Sequence, residues 1–143
     1  MRSIALTAIA LALLSGCYSF GQAPRFGQAR VAPERVAPGT TALITVGMDD
    51  TYGIVHRVEG VVPVEPPVRI PLYDNGEHGD AEAGDGVWSY AVEVPDIAPP
   101  GSSEITFTAY TEDGLPVEVR TRDRRVVELQ TALPFTIENP GER

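Results

Sequence analysis

The sequence predicts an all-β domain, a sandwich of about seven to nine short antiparallel strands. From residue 29 onward apolar and polar residues alternate with a period of two, which is the signature of half-buried strands. Clusters of Gly, Pro, Asp and Asn separate these runs, and thirteen prolines are spread along the chain. No window after the N-terminal segment has a helical period. Short strands with frequent turns are typical of sandwiches of the immunoglobulin or fibronectin-III type.

The strand-like runs combine alternation with β-branched and aromatic residues. Pro67 and Pro71 make the second run an edge strand, because proline cannot donate a ladder hydrogen bond. Trp88 shares a face with Tyr90 and Val92, and we expect it at the centre of the core. The runs are TALITVGM (41–48), PVRIPLY (67–73), VWSYAVEV (87–94), SEITFTAYT (103–111), PVEVRT (116–121) and LPFTI (133–137).

The N-terminal segment, MRSIALTAIALALLSGC, has the pattern of an export signal. Its apolar part, residues 4–14, is too short for a membrane span, which needs about 20 residues, but it suits the apolar region of a signal peptide. Leu14 to Cys17, LSGC, resembles the bacterial lipobox. That resemblance implies a signal peptide at 1–16, cleavage before Cys17 and acylation of Cys17, including palmitate. Cys17 is the single cysteine of the chain, so it cannot form an internal disulfide.

The segment after the cleavage site predicts a tethered, membrane-anchored domain. Residues 17–28 are expected to be the lipidated cysteine and a flexible tether rich in Gly and Gln, and residues 29–143 the folded domain. Several acyl chains give durable attachment to a membrane. Tyr18, rather than Asp, follows the cysteine, which resembles the outer-membrane lipoproteins of Gram-negative bacteria. We therefore expect an exported protein held in the cell envelope, with the outer membrane as its location.

The charge of the chain limits its partners. The formal net charge is −9 at pH 7, and lysine is absent. Nucleic-acid binding depends on neutralising phosphates, so it is not expected. An acidic domain is also repelled by anionic lipid, so the acyl chains must do the anchoring. The expected partner is another protein of the envelope.

The acidic stretch LYDNGEHGDAEAGDGVWSY, Leu72 to Tyr90, has two interpretations. Five acids lie between residues 74 and 85 with no Arg or Lys among them. Asp, Asn and Gly favour turns, so Asp80 and Asp85 are expected to accept hydrogen bonds from neighbouring amides. Alternatively, side-chain oxygens bind a structural Ca²⁺, although the spacing differs from the Asp-x-Asp-x-Asp-Gly calcium loop. The candidate ligands are Asp74, Asn75, Asp80 and Asp85.

The same stretch carries a family resemblance. Leu-Tyr-Asp-Asn-Gly, then Gly-Asp, then Gly-Asp-Gly-Val-Trp-Ser resembles a motif of bacterial Ig-like modules of the choice-of-anchor X group. Asn75 replaces the usual second Asp and Trp88 the usual Tyr. Pro99 to Gly114 resembles a later strand and turn of those modules, and the similarity covers Pro38 to Pro140. It implies an Ig-like fold in an exported protein and no specific activity, because such modules accompany many functions.

The sequence offers little for an enzyme. It contains no Gly-x-Ser-x-Gly, no His-Glu-x-x-His and no phosphate-binding loop, and its two histidines are not in ligand spacing. We therefore expect a non-enzymatic protein. Its basic cluster, RTRDRR, would place Arg120, Arg122 and Arg124 on one face of a strand, either as a contact patch or as a solvated, charged strand edge.

Two functions remain open at this point. The leading one is an envelope-anchored lipoprotein whose single Ig-like domain is a non-enzymatic binding or spacer module. The alternative is an accessory module, associated with carbohydrate or with a protease, that serves a separately encoded secreted enzyme. A carbohydrate-binding face usually displays several exposed aromatics, and only Tyr52, Tyr73 and Tyr110 are candidates.

Overall fold

The computed structural model describes residues 22–141, which contain ten β-strands and no helix. The predicted signal peptide, Cys17 and most of the tether lie outside the described residues. No helix among residues 22–141 is long and apolar enough to cross a membrane. The strands are β1 (Arg25–Ala32), β2 (Arg35–Val36), β3 (Thr41–Asp49), β4 (Arg57–Val62), β5 (Val68–Leu72), β6 (Val87–Glu93), β7 (Gly101–Tyr110), β8 (Glu118–Arg120), β9 (Val126–Glu128) and β10 (Gln130–Ile137).

Two sheets form an Ig-like β-sandwich, as predicted. One sheet has three strands in the order β1-β3-β6, and the other has five in the order β2-β10-β7-β4-β5. Strands β8 and β9 form a separate hairpin. The alternating apolar residues of both sheets face each other and exclude water, which is how sandwiches are stabilised. The structure has ten strands where seven to nine were expected. Three of the ten, β2, β8 and β9, have only two or three residues each.

The core lies between the central strands and differs from the expectation for Trp88. Its largest fully buried side chains are Phe107, Ile44, Val46 and Val58. Trp88 is only half-buried and packs against this cluster from the side. The expectation that Trp88 is the centre of the core was wrong, because β6 is the last strand of the three-stranded sheet. Phe107, on the central strand β7, occupies that place.

The domain begins earlier than predicted. Strand β1 starts at Arg25, ahead of residue 29, so the end of the predicted tether is part of the sandwich. Between Phe26 and Ala29 the register of β1 against β3 shifts by a bulge. The bulge breaks the two-residue period, which explains why the alternation pattern does not reveal this strand. By contrast, β5 lies at the edge of the five-stranded sheet, as its prolines predicted.

The sandwich has two chemically different ends. At one end the chain enters β1, where Arg25 pairs with Asp49, and β5 leaves for β6 through the acidic stretch. At the same end, the Met48 amide donates to the Gly86 carbonyl at 2.7 Å. At the other end lie the β4–β5 turn and the β6–β7 loop, residues 94–100. A strand of eight residues separates the two ends by roughly 26 Å.

Candidate functional site

The acidic loop, residues 73–86, crosses from the five-stranded sheet to the three-stranded sheet. Tyr73 and Ser89 exchange backbone hydrogen bonds of 2.9 and 2.8 Å, and the Ala91 amide donates to the His78 carbonyl at 2.8 Å. The first half of the loop therefore runs along the edge of β6 that faces away from β3. An exposed strand edge invites pairing with other chains, so the loop protects the sandwich there.

Gly79 allows this close approach. Its φ of +99° lies in the region that favours glycine. A Cβ on Gly79 would lie 2.9 Å from the Ala91 nitrogen and 3.0 Å from Leu43 Cδ1. Any side chain at this position would push the loop away from β6.

Asp74 closes the loop at its base. Its Oδ1 accepts the amides of Gly84 at 2.8 Å and Asp85 at 3.2 Å, and its Oδ2 accepts the Gly86 amide at 3.2 Å. The pKa of Asp74 is raised from its ordinary 3.8, and burial of the carboxylate is the largest cause. Hydrogen bonds from the amides of Gly86 and Gly84 oppose this shift, whereas the nearby charges of Asp80 and Asp85 add to it. Asp74 thus accepts three amide hydrogen bonds and lies beside the carboxylates of Asp80 and Asp85.

Asp80 is the buried member of the loop. It is only 7% exposed, and its Oδ2 accepts the Gly76 amide at 2.7 Å. Its Oδ1 is buried and has no hydrogen-bond partner, and it is the single such side-chain atom found in residues 22–141. A buried oxygen without a donor is costly, since it has lost water and gained nothing in return.

The acidic loop contains turn-forming hydrogen bonds and brings three of the four candidate ligands close together. Asp85 Oδ1 accepts the Val87 amide at 2.8 Å and Asn75 Oδ1 accepts the Glu77 amide at 3.0 Å, so the predicted turn-forming hydrogen bonds are present. In addition, Asp74, Asp80 and Asp85 each bring a carboxylate oxygen within 4.8 Å of the others. The side-chain oxygen of Asn75 is already engaged in the turn, where it accepts the Glu77 amide.

The basic residues do not form the predicted strand face. Arg120 ends β8, whereas Arg122 and Arg124 lie in the turn before β9, and Arg124 has a φ of +66°. The side chain of Asp123 accepts hydrogen bonds from Thr121 and Arg125, which lowers its pKa and holds the turn. The alternating strand geometry was wrong because this local network turns the chain after Arg120.

An apolar cleft opens between the sheets at the end opposite the acidic loop. Its volume is about 570 Å³, within the range of small-molecule sites, about 300–1,000 Å³. The side chains of Ile44, Ile70 and Ile105 line its inner part. The alternation pattern identified these residues as core but gave no sign that the sheets separate here.

The mouth of the cleft is unusually apolar for a protein surface. Ile97 is 91% exposed, and Val64 and Val68 are 45% and 46% exposed, and all three line the cleft. Adjacent exposed apolar side chains of this kind mark interaction sites more often than isolated ones. Glu93 is the one charged residue among the lining residues.

Comparison with known proteins gives no family. No family model and no curated protein matches the chain. The fold is similar to a solved structure of a Niemann-Pick type C2 protein from Japanese carpenter ant, with 14% sequence identity and a TM-score of 0.45. The alignment covers 82% of this chain and 94% of that chain. A similarity this distant says nothing about function.

Proposed function

We propose that the protein is a non-enzymatic envelope lipoprotein whose Ig-like domain is a binding module, with the inter-sheet cleft as its binding site. The cleft is the observation that carries this proposal. It combines a volume of about 570 Å³ with a lining of valine, isoleucine, alanine and proline residues. Ligand sites are typically concave and mostly apolar.

The chemistry of the cleft favours the alkyl chain of a lipid as its occupant. The lining offers few polar groups, Ser102, Ser103 and Glu93 among the side chains, so a ligand rich in hydrogen-bonding groups would lose water without compensation. An alkyl chain requires no such partners. It is also slender, so a cleft of about 570 Å³ between the sheets can hold it.

The position of the cleft fits a lipid-anchored module. The described chain enters the sandwich at Arg25, at the end of the acidic loop, and the cleft opens at the opposite end. Acylation at Cys17 would therefore tether the acidic end toward the membrane and leave the cleft facing away from it. A binding site so placed is accessible to a ligand or carrier arriving from the aqueous side.

A neutral fluorescent alkyl probe tests the proposal, because a neutral head group avoids repulsion by the acidic domain. We expect saturable binding to the full chain. Val68→Glu places a charge at the mouth and should weaken binding at least tenfold, since the carboxylate must stay hydrated. Leu115→Glu is the matched control: Leu115 is 64% exposed and does not line the cleft.

The outcomes separate binding from a spacer role. If the wild type, Val68→Glu and Leu115→Glu bind the probe with equal affinity, the probe binds elsewhere and the cleft is not the binding site. Absence of saturable binding would leave the spacer function in its place. If Val68→Glu fails to fold, Ile97→Glu answers the same question, because the 91% exposure of Ile97 makes it tolerant of substitution.

A further inference from the structure

The three-carboxylate cluster at the acidic end has the geometry of a cation site. Ligand oxygens of Asp74, Asp80 and Asp85 lie within 4.8 Å of one another. Oxygens bind Ca²⁺ at about 2.3–2.6 Å, so two oxygens on one ion are at most roughly 5 Å apart. The three oxygens therefore lie within the span that the ligands of one ion can cover.

A second observation is independent of the clustering. Asp80 is 7% exposed, and its Oδ1 is buried with no hydrogen-bond donor. The backbone of the loop supplies amides to Asp74, to Asp85 and to Asp80 Oδ2, but none to this atom. A loop that served only as a turn would gain nothing by burying this oxygen, whereas a cation site requires a free oxygen.

Charge balance points the same way. Among residues 22–141, the salt bridges of Arg25, Arg57, Arg69 and Arg125 all involve other acids, so no arginine of this part of the chain forms a salt bridge with the cluster. Like charges held this close favour either protonation or a bound cation.

We propose that Asp74, Asp80 and Asp85 bind one Ca²⁺ ion, which fixes the loop along the edge of β6. The ligands are oxygens, which suit hard cations, whereas Zn²⁺ prefers nitrogen and sulfur. Ca²⁺ accepts irregular oxygen sets, while Mg²⁺ demands near-octahedral geometry and keeps its water. The amides that bind Asp74 and Asp85 orient these carboxylates, as hydrogen bonds around metal ligands commonly do.

Thermal unfolding of the full chain in chelator, Ca²⁺ and matched Mg²⁺ provides one readout. At free Ca²⁺ a hundredfold above Kd, mass action should raise the Tm by roughly 10 °C, and Mg²⁺ should not reproduce it. Glu82→Gln is the matched control, because Glu82 is an exposed acid of the same loop outside the cluster, and it should keep the shift. Asp80→Asn should lose the shift, and in chelator it should melt at or above the wild-type temperature, since it removes a buried unpaired charge.

Direct binding provides the second readout. Tb³⁺ replaces Ca²⁺ on oxygen ligands. Trp88, the single tryptophan, lies close in sequence to Asp85 and should sensitise the emission of bound Tb³⁺. Ca²⁺ should displace Tb³⁺, and Asp85→Asn should weaken Tb³⁺ binding at least tenfold. If Asp80→Asn does not fold, Asp85→Asn carries the test because Asp85 is exposed.

Three outcomes of the thermal experiment would overturn the proposal. They are equal Tm shifts in Ca²⁺ and Mg²⁺, equal shifts in the wild type and the Asp variants, and melting temperatures within about a degree in all three buffers.

Discussion

Gly60 of β4 lies directly opposite Phe107 of β7, and the Phe107 ring fills the space that a side chain on Gly60 would need. A Cβ on Gly60 would lie 2.9 Å from Phe107 Cε1 and 2.8 Å from Ile105 Cγ2. A glycine that weakens strand propensity is thus tolerated because it admits the largest side chain of the core.

Gly60→Ala is therefore expected to destabilise the domain by about 1–3 kcal/mol, the usual cost of overpacking a filled core. Denaturant unfolding measures this cost. Gly27→Ala is the control, since a Cβ at Gly27 would make ordinary contacts of 3.5 Å with Gly47. A loss at Gly27 as large as that at Gly60 would show that strand glycines matter here for another reason.

Phe107 and Trp88 test where the core is centred. Phe107→Ala should cost about 3–5 kcal/mol, because the ring is fully buried. Trp88→Ala should cost less, about 1.5–3 kcal/mol, because part of the indole already faces water. Equilibrium unfolding of both variants gives the comparison, and a larger loss for Trp88 would return the centre of the core to β6.

The difference between these two residues illustrates what the sequence reveals. Alternation identified which residues of β3, β6 and β7 face inward, because burial on one face imposes a period of two. It did not identify which strand is central, since strand order depends on long-range pairing. The same limit applies to the cleft, whose lining residues look like any other core positions along the chain.

Local chemistry made the acidic loop more predictable than the basic cluster. The hydrogen bonds of Asp80 and Asp85 to nearby amides follow from short-range turn propensities that the sequence shows directly. The unbonded oxygen of Asp80 depends on tertiary burial, which no local pattern encodes. For Arg122 and Arg124, the turn organised by Asp123 outweighed a strand interpretation based on alternation.

Gly79→Ala tests the packing of the loop on β6. Gly79 and Gly84 both have positive φ, at +99° and +74°, but only Gly79 faces protein atoms within contact distance. Both alanine variants should lose about 1–2 kcal/mol to backbone strain, and Gly79→Ala should lose about 1–3 kcal/mol more to the clash with Ala91. Calorimetric melting measures both, and equal losses would mean that the loop does not lie against β6.

Cys17→Ser tests the predicted anchor. The lipobox-like LSGC segment predicts that the variant is neither acylated nor cleaved, because the thiol that carries the lipid is missing. Metabolic labelling with a palmitate analogue, with fractionation of the envelope, measures this directly. Equal labelling of the wild type and the variant would exclude Cys17 as the lipidation site.

Methyl NMR of the isoleucine residues tests, residue by residue, whether the cleft binds an alkyl chain. Ile44, Ile70 and Ile105 line the inner cleft and Ile97 its mouth, while Ile54 lies outside it. On titration with a neutral alkyl ligand, we expect the methyl resonances of Ile44, Ile70, Ile97 and Ile105 to shift together with one saturation constant and that of Ile54 to stay unchanged. Shifts confined to Ile54 and other surface methyls, or no saturable shift at Ile44, Ile70, Ile97 and Ile105, would contradict alkyl binding in the cleft.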